Sequence, residues 1–400
     1  MKNFLGQLWN SIFHRFTLLV VGIIFSWGVM SMGWLNNDVG IGWAALPQGD
    51  AFTNPMSILR LALPVDSQAI HTIHQYLEEM PPQLDDPTAR MQPKQWSEVG
   101  NQISKAIKTF NREASDLLSD IPTPYRPQAL VRMNQINAAL ADLKILSDEQ
   151  SKDLFVAKRT QAWNSIDLLA ASMVPEYSVN IPEDYQTLPQ LNGRAVVALD
   201  TSKGPITIMV DGYNAPITAG NFLDLVQREF YDDLTFTRED EAYVVQTGNP
   251  EGPQAGFIDP DTGQYRSIPL EVMVKGDSEA VYGATLEELG LSLSEPVLPF
   301  SAYGTVAMGH PQGDPNGGSS QFFFHLFEPD LTPAGLNLLD GRYAVFGYVI
   351  AGQEVLAQLQ QGDLLRSAKV VDISPPNAFT FRYLDWILVQ RLSSSLKGMA

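Results

Sequence analysis

Across the proline-punctuated segment 175–189 the apolar spacing changes from a helical period of about 3.6 to a strand period of 2. No single layer of secondary structure accommodates both, so the chain must fold as at least two parts. Before the change, Trp96, Val99, Ile103, Ile107 and Phe110 recur at spacings of three and four, one face of a helix continuing to Leu118. Leu130, Met133, Ile136, Leu140 and Leu143 mark a second helix over 129–146. Another starts at a cap, Asp66 or Ser67, and stops at Pro81-Pro82. Ser147, with Gln150 three residues later, reads as a capping box for the last, which runs through Phe155, Val156, Trp163, Ile166 and Leu169. Short, proline-broken connections join the four into an antiparallel bundle over 55–175. It holds no catalytic constellation and reads as a scaffold or docking domain.

After the linker (176–192), Val196, Ala198 and the stretch 206–210 read as strands about a Lys203-Gly204-Pro205 turn. Strands return near 234–236, 243–247, 305–308, 322–326 and 344–349, with helices at 219–229 and 354–361. Many strands and few helices indicate a β-barrel or an α+β domain over 193–375. The interval 250–301, rich in Gly, Pro and acidic residues, reads as a long excursion from it, and 376–400 as an aromatic-apolar tail.

Four hundred residues accommodate two domains and a targeting segment. A net charge of −19 argues against nucleic acid, whose phosphates need clustered Lys and Arg, and against anionic lipid headgroups. With no cysteine, disulfides, thiolate catalysis and cysteine metal sites are excluded. His71 and His74 lie three apart on one helical face without a supporting carboxylate cluster, so they read as a solvated or half-buried face and no metal site is expected. Near the start, Lys2, His14 and Arg15 precede the uncharged run 16–35, with Asp38 and Asp50 after it. Its length fits a cleaved signal or an uncleaved anchor within 1–45, and the positive flank predicts export of the chain beyond the run. Only such an anchor would tie the chain to a membrane.

Two blocks, GGSSQFFF (317–324) and LLDGRYAVFGYV (338–349), suggest an apolar groove with one polar fixture, Gln321. Together with APITAGNFLDLV (215–226) and the segment from Phe236 to Gly248, their order and spacing resemble the cyclophilins over roughly 193–375. The resemblance implies peptidyl-prolyl isomerase activity on an eight-stranded barrel capped by two helices. The segments 46–66 and 256–271 are similar to multidomain cyclophilins of the thylakoid lumen in cyanobacteria and chloroplasts, which join a helical bundle to the isomerase domain. That group is associated with photosystem II assembly, so the implied setting is a lumen or periplasm. The implied partners are proline-containing client polypeptides, with photosystem II subunits docking on the bundle.

Rotating an X-Pro bond needs no nucleophile, metal, cofactor or proton transfer, only stabilisation of a twisted amide. The resemblance places the catalytic cation at Arg238 and the carbonyl-binding glutamine at Gln246. It places the proline pocket at Tyr243, Val244, Phe323 and Leu339, and backbone contacts after Met308 at Gly309 and His310. The sequence departs from the family at Thr237 (usually His), Leu338 (a rim Trp), Tyr343 (His), Tyr243 (Phe) and Val244 (Met). Leu338 implies weak binding of cyclosporin-type ligands. Two functions fit these residues: an exported prolyl isomerase, or a peptide-binding assembly factor with a degenerate isomerase site.

Overall fold

The computed structural model describes residues 53–65, 67–174, 180–239, 243–250, 256–326 and 337–374. The apolar run at 16–35, the tail at 376–400, the alternative cap Asp66, and Asp240 and Glu241 beside Arg238 lie outside the described residues. Among the described residues, no helix is long and apolar enough to cross a membrane.

Helix α1 (Pro55–Leu61) starts where Asn54 Oδ1 accepts the Met56 and Ser57 amides at 2.9 and 3.2 Å, with Pro55 in the first turn where no N–H is needed. Ser67 caps α2 (Gln68–Glu78) by accepting the Ile70 amide. The long helices α3 (Pro93–Ser119), α4 (Arg126–Asp148) and α5 (Lys152–Met173) complete the bundle. Each packs on its sequence neighbour and α5 returns to α2, which closes the ring. The stripe Trp96, Val99, Ile103 and Phe110 is buried, as its spacing requires. Leu130 is not. It is 48% exposed, and Ala129 takes the inward position instead.

Ser147 caps nothing. Helix α4 runs past it, and its hydroxyl donates back to the Lys144 carbonyl at 2.8 Å. The turn is made by Gln150 in the left-handed region (φ 56) and by Ser151 N–H donating to the Leu146 carbonyl, a C-terminal closure in place of an N-terminal box. His74 is also a correction: it is fully buried, 3.4 Å from Asp167 Oδ1, rather than on a solvated or half-buried face. Desolvation by burial and the charge of Arg60 hold its pKa down to about 3, so it is neutral.

The second region starts with β1 (Arg194–Thr201), β2 (Gly204–Asp211) and α6 (Pro216–Gln227), followed by β3 (Leu234–Thr235), β4 (Thr237–Glu239) and β5 (Val244–Thr247). A short pair, β6 (Glu271–Val272) and β7 (Val281–Tyr282), stands apart. Then come β8 (Thr305–Met308), β9 (Phe322–His325), β10 (Val345–Ala351), α7 (Gln353–Leu356) and β11 (Leu364–Ser374). The nine-stranded sheet has the order β3-β11-β1-β2-β10-β8-β9-β5-β4. Strands β3 and β4 are separated only by Phe236, so they are two halves of one bent strand that pairs with β11 on one side and β5 on the other. Counted that way the nine become eight, and the sheet closes on itself.

Three sequence expectations change here. Strand β11, which pairs with β1 along its length, has no counterpart among the expected strands. The helix expected at 354–361 is only the single turn α7, entered through Gly352 at φ 82. The 250–301 excursion folds back, burying Phe257, Ile268, Leu270, Leu298 and Phe300 in the barrel's apolar core. From the 176–192 segment, Ile181 and Leu191 are buried in the same core.

Helix α1 belongs to both regions. Ile58, Leu59 and Ala62 sit in the barrel core, whereas Leu63 and Val65 just beyond them sit in the bundle core. In return Tyr213 of the barrel enters the bundle core. Arg194 is buried with Asp211 (Nε to Oδ2 2.7 Å) and donates to the Leu59 carbonyl, and Asn214 Nδ2 donates to the Ala62 carbonyl at 2.8 Å. On its other side α1 directs Arg60 to Asp167 and Glu78 at 3.1 and 3.2 Å.

Candidate functional site

Three consecutive phenylalanines on β9 must alternate between the two faces of the sheet. Phe322 and Phe324 point inward, where Phe322 meets Phe222 and Tyr231 edge-on at 5.1 and 5.3 Å. Phe323 points the other way, stacks on Phe300 at 6.0 Å and receives Tyr343 edge-on at 5.2 Å. Strand β5 lies beside it in a register that sets Gln246 opposite Phe323 and Val244 opposite His325. Cross-strand partners share a face, so Gln246, Val244 and Phe323 converge on one side.

There they line a cavity of about 410 Å³, within the size range of small-ligand and peptide sites. Val244, Phe323, Leu339 and Tyr343 form its apolar part, and Gln246, Gln321, Ser319 and Gly317 its polar side. The 309–311 loop makes the remaining rim. Gln246 Nε2 donates to Gln321 Oε1 at 2.5 Å, which fixes the two amides against each other.

The Gly-Ser turn before Phe322 is held from behind. Asn221 of α6 donates to the Ser319 carbonyl at 2.6 Å, Tyr231 to the Ser320 carbonyl at 3.0 Å, and Ser320 to the Gly248 carbonyl at 2.7 Å. Gly248 (φ 92) is required at that contact, since a Cβ would lie 2.2 Å from the Ser320 oxygen. Helix α6 has no side-chain cap of its own. Buried Glu271 of the excursion supplies one, accepting the Ile217 amide at 3.2 Å and the Thr218 amide and hydroxyl at 2.9 Å each. Burial raises its pKa to about 7 against the pull of those donors. The second block is tied to the same excursion through Asp340, which accepts the Phe300 amide at 2.8 Å. Burial lifts its carboxyl above the ordinary range.

Of the residues expected at the site, Gln246, Val244, Gly309, His310, Phe323, Leu339 and Tyr343 are brought together. Four are not among the lining residues. Met308 is buried in the sheet opposite Phe322. Tyr243, 47% exposed and at φ 53, forms the turn into β5. Leu338, 84% exposed, stands out from the turn before Leu339. Arg238 lies opposite Val245 rather than Gln246, one position out of register with the groove glutamine. Its Nη1 donates to the Leu359 and Ala357 carbonyls at 2.8 and 3.3 Å. Gly309 N–H does not face the cavity for a peptide, because it donates to the Gln321 carbonyl at 2.7 Å. Pro311, Gly317, Ser319 and Gln321 also line the cavity, and the family resemblance assigns none of them a place there. The last three sit in the GGSSQFFF block, whose pattern already singles out Gln321.

Residues 196–374 match the family model described as cyclophilin type peptidyl-prolyl cis-trans isomerase/CLD. Residues 54–174 match that of the CYP38-like, PsbQ-like domain. A putative thylakoid lumen peptidyl-prolyl cis-trans isomerase of Synechocystis is 44% identical over 89% of this chain and 92% of its own length. The chloroplastic peptidyl-prolyl cis-trans isomerase CYP38 of Arabidopsis thaliana is 37% identical over 82% and 76%, and chloroplastic CYP37 of the same plant 29% over 78% and 68%. With a closed barrel, an aromatic-walled groove and relatives matched through both regions, this chain belongs to the cyclophilin-type peptidyl-prolyl cis-trans isomerases that carry a PsbQ-like helical domain ahead of the isomerase domain.

Proposed function

We propose that the groove seats the proline ring of an X-Pro pair on Phe323, between Val244, Leu339 and Tyr343, with Gln246 donating to the substrate backbone. The observation that carries this reading is the Phe323 floor beside the Gln246–Gln321 pair: one dry wall and one fixed amide. The planar amide resists rotation by about 18–20 kcal/mol because resonance gives the C–N bond double-bond character and charge separation. The twisted amide has lost that separation, so an apolar wall costs it less than it costs the planar form. Pyramidal prolyl nitrogen also gains a lone pair, which a fixed cation stabilises. We assign that cation to Arg238, whose guanidinium is always charged. The role requires its fork to turn from the 357 and 359 carbonyls toward the groove when peptide is bound.

That requirement favours a second reading, a groove that binds prolyl segments and turns them over slowly. A proline-isomerisation assay on the full chain decides between them. The first reading expects turnover above background, and a fall of about 10²-fold or more in kcat/KM for Arg238→Ala, the usual scale for losing a transition-state donor. Peptide binding without turnover supports the second. Unchanged turnover in Arg238→Ala removes Arg238 from the mechanism.

We place the protein in the thylakoid lumen or periplasm, with proline-containing exported polypeptides as clients and photosystem II subunits as partners of the bundle. The positive flank of the 16–35 run, the lumenal Synechocystis relative and the PsbQ-like match support this. Failure of the full chain to bind purified photosystem II subunits would remove the last part.

A further inference from the structure

We infer that His310 is a positioning residue that acts as a proton-operated clasp across the mouth of the groove, a role that rests on the groove being the peptide site. Its ring lies between two carbonyl oxygens, with Nδ1 2.9 Å from that of Pro311 and Nε2 2.9 Å from that of Arg342. Both partners are acceptors. A neutral imidazole carries one N–H, so it can serve one carbonyl and must turn a lone pair toward the other; the imidazolium donates to both. The fully bonded arrangement is therefore that of the protonated ring.

The two carbonyls belong to different walls. Pro311 is in the loop after β8, and Arg342 is in the turn that carries Leu339 and Tyr343. Gly309 already anchors the near end of the loop to Gln321, and His310 ties its far side to the opposite rim. The imidazole also stacks on Tyr343, with ring centroids 4.7 Å apart and planes 29° apart. Tyr343 in turn meets Phe323 on the groove floor. Protonation thus adds a hydrogen bond across the mouth and a cation on the Tyr343 face, and both hold the proline wall in place.

Among the described residues, the titratable and charged groups on the surrounding elements are few. They are the Tyr343 phenol, the Arg342 side chain paired with Glu287 at 2.7 Å, Asp340 of the same turn, and Asp314 of the His310 loop. Asp340 accepts the Phe300 and Asn337 amides at 2.8 and 3.0 Å, and Asp314 accepts the Asn316 amide at 3.1 Å. Arg342 and Glu287 offset each other, so the change of charge falls on the imidazole. A clasp that preorganises one wall acts on binding more than on the chemical step.

The test uses the full chain and the tetrapeptide succinyl-Ala-Ala-Pro-Phe, with peptide affinity, KM and kcat followed from acid to alkaline pH. The clasp predicts affinity about three- to tenfold tighter at the acid end, carried by KM rather than kcat. It also predicts loss of that slope in His310→Gln, which is neutral throughout. Ring-nitrogen resonances of His310 should show both nitrogens protonated at the acid end. A flat wild-type profile with binding intact overturns the clasp alone, as does an unchanged slope in His310→Gln. No binding at any pH overturns the groove, and the clasp with it.

Discussion

The bundle and the barrel bury polar groups in opposite ways. In the bundle the buried Arg60 and Asp167, with half-buried Glu78 and neutral His74, lie where α1 meets α2 and α5, beside the junction with the barrel. In the barrel the polar groups of the groove, Gln246 and Gln321, stay at the open rim, and the buried carboxylate Glu271 is used to cap a helix. The bundle thus uses its polar interactions at the junction, where the barrel's buried Arg194, Asp211 and Asn214 meet it, whereas the barrel's rim amides stay where a peptide can reach. An ion pair in a dry junction contributes little to net stability but is costly to break on one side. A rim amide can be replaced by water.

That contrast sets the largest expected effect. Arg194→Ala leaves Asp211 buried without its partner and the Leu59 carbonyl without its donor. The expected loss is about 3–5 kcal/mol, seen as a lower midpoint in denaturant melts of the full chain. Since α1 contributes Ile58 and Leu59 to the barrel core, peptide binding should fail in the same transition as the helical signal. Two separate transitions, with the groove surviving the first, would show that the bundle is merely appended. For the same reason, cutting the chain at residue 193 removes part of the barrel's own core.

Protonation distinguishes the regions next, with opposite signs. His74 has its pKa lowered from 6.5 to about 3, so its contribution is present above pH 6.5 and is lost as the pH falls toward 3. Glu271 has its pKa raised from 4.5 to about 7, so its contribution is present below pH 4.5 and is lost as the pH rises through 7. Each is worth a few kcal/mol at most, at about 1.4 kcal/mol per pH unit of displacement. Comparing melts across pH, His74→Gln should flatten the acid-side decline, and Glu271→Gln should flatten the decline toward neutral pH. If both variants keep the wild-type slopes, the two groups are not what makes the regions respond differently.

The same division decides how much can be read from the chain. Bundle helices announce themselves because Trp96, Val99, Ile103 and Phe110 are near neighbours in sequence, and local spacing alone fixes their shared face. Groove residues such as Phe323 and Leu339 are legible because they sit in motifs. Strand β11 is not, because Arg366, Lys369 and Asp372 break its apolar pattern and its partner β1 is far away in sequence. Nor is the register of Arg238, which depends on its pairing with Val245 across a hairpin. Arg194, Asp211 and Asn214 look like ordinary surface polar residues until α1 covers them. His74 misleads for a related reason: its three-residue spacing from His71 shows a shared face, but only the arrival of α5 decides that the face is buried.

The smallest effect expected lies at the rim, and it tests the cheaper half of the contrast. Gln321→Leu removes the acceptor of Gln246 Nε2. In a buried site that would leave a donor unsatisfied, but here both amides line an open cavity, so water can take the vacated position. The cost should be near that of one ordinary hydrogen bond, about 1 kcal/mol, or roughly a fivefold loss of peptide affinity. Melting of the full chain should stay within about 0.5 kcal/mol of wild type, as for other changes outside the core. A loss of stability comparable to that of Arg194→Ala would mean that the Gln246–Gln321 pair holds β5 against β9. The rim amides of the barrel would then serve the fold as the buried polar groups at the junction do, and the division between them would fail.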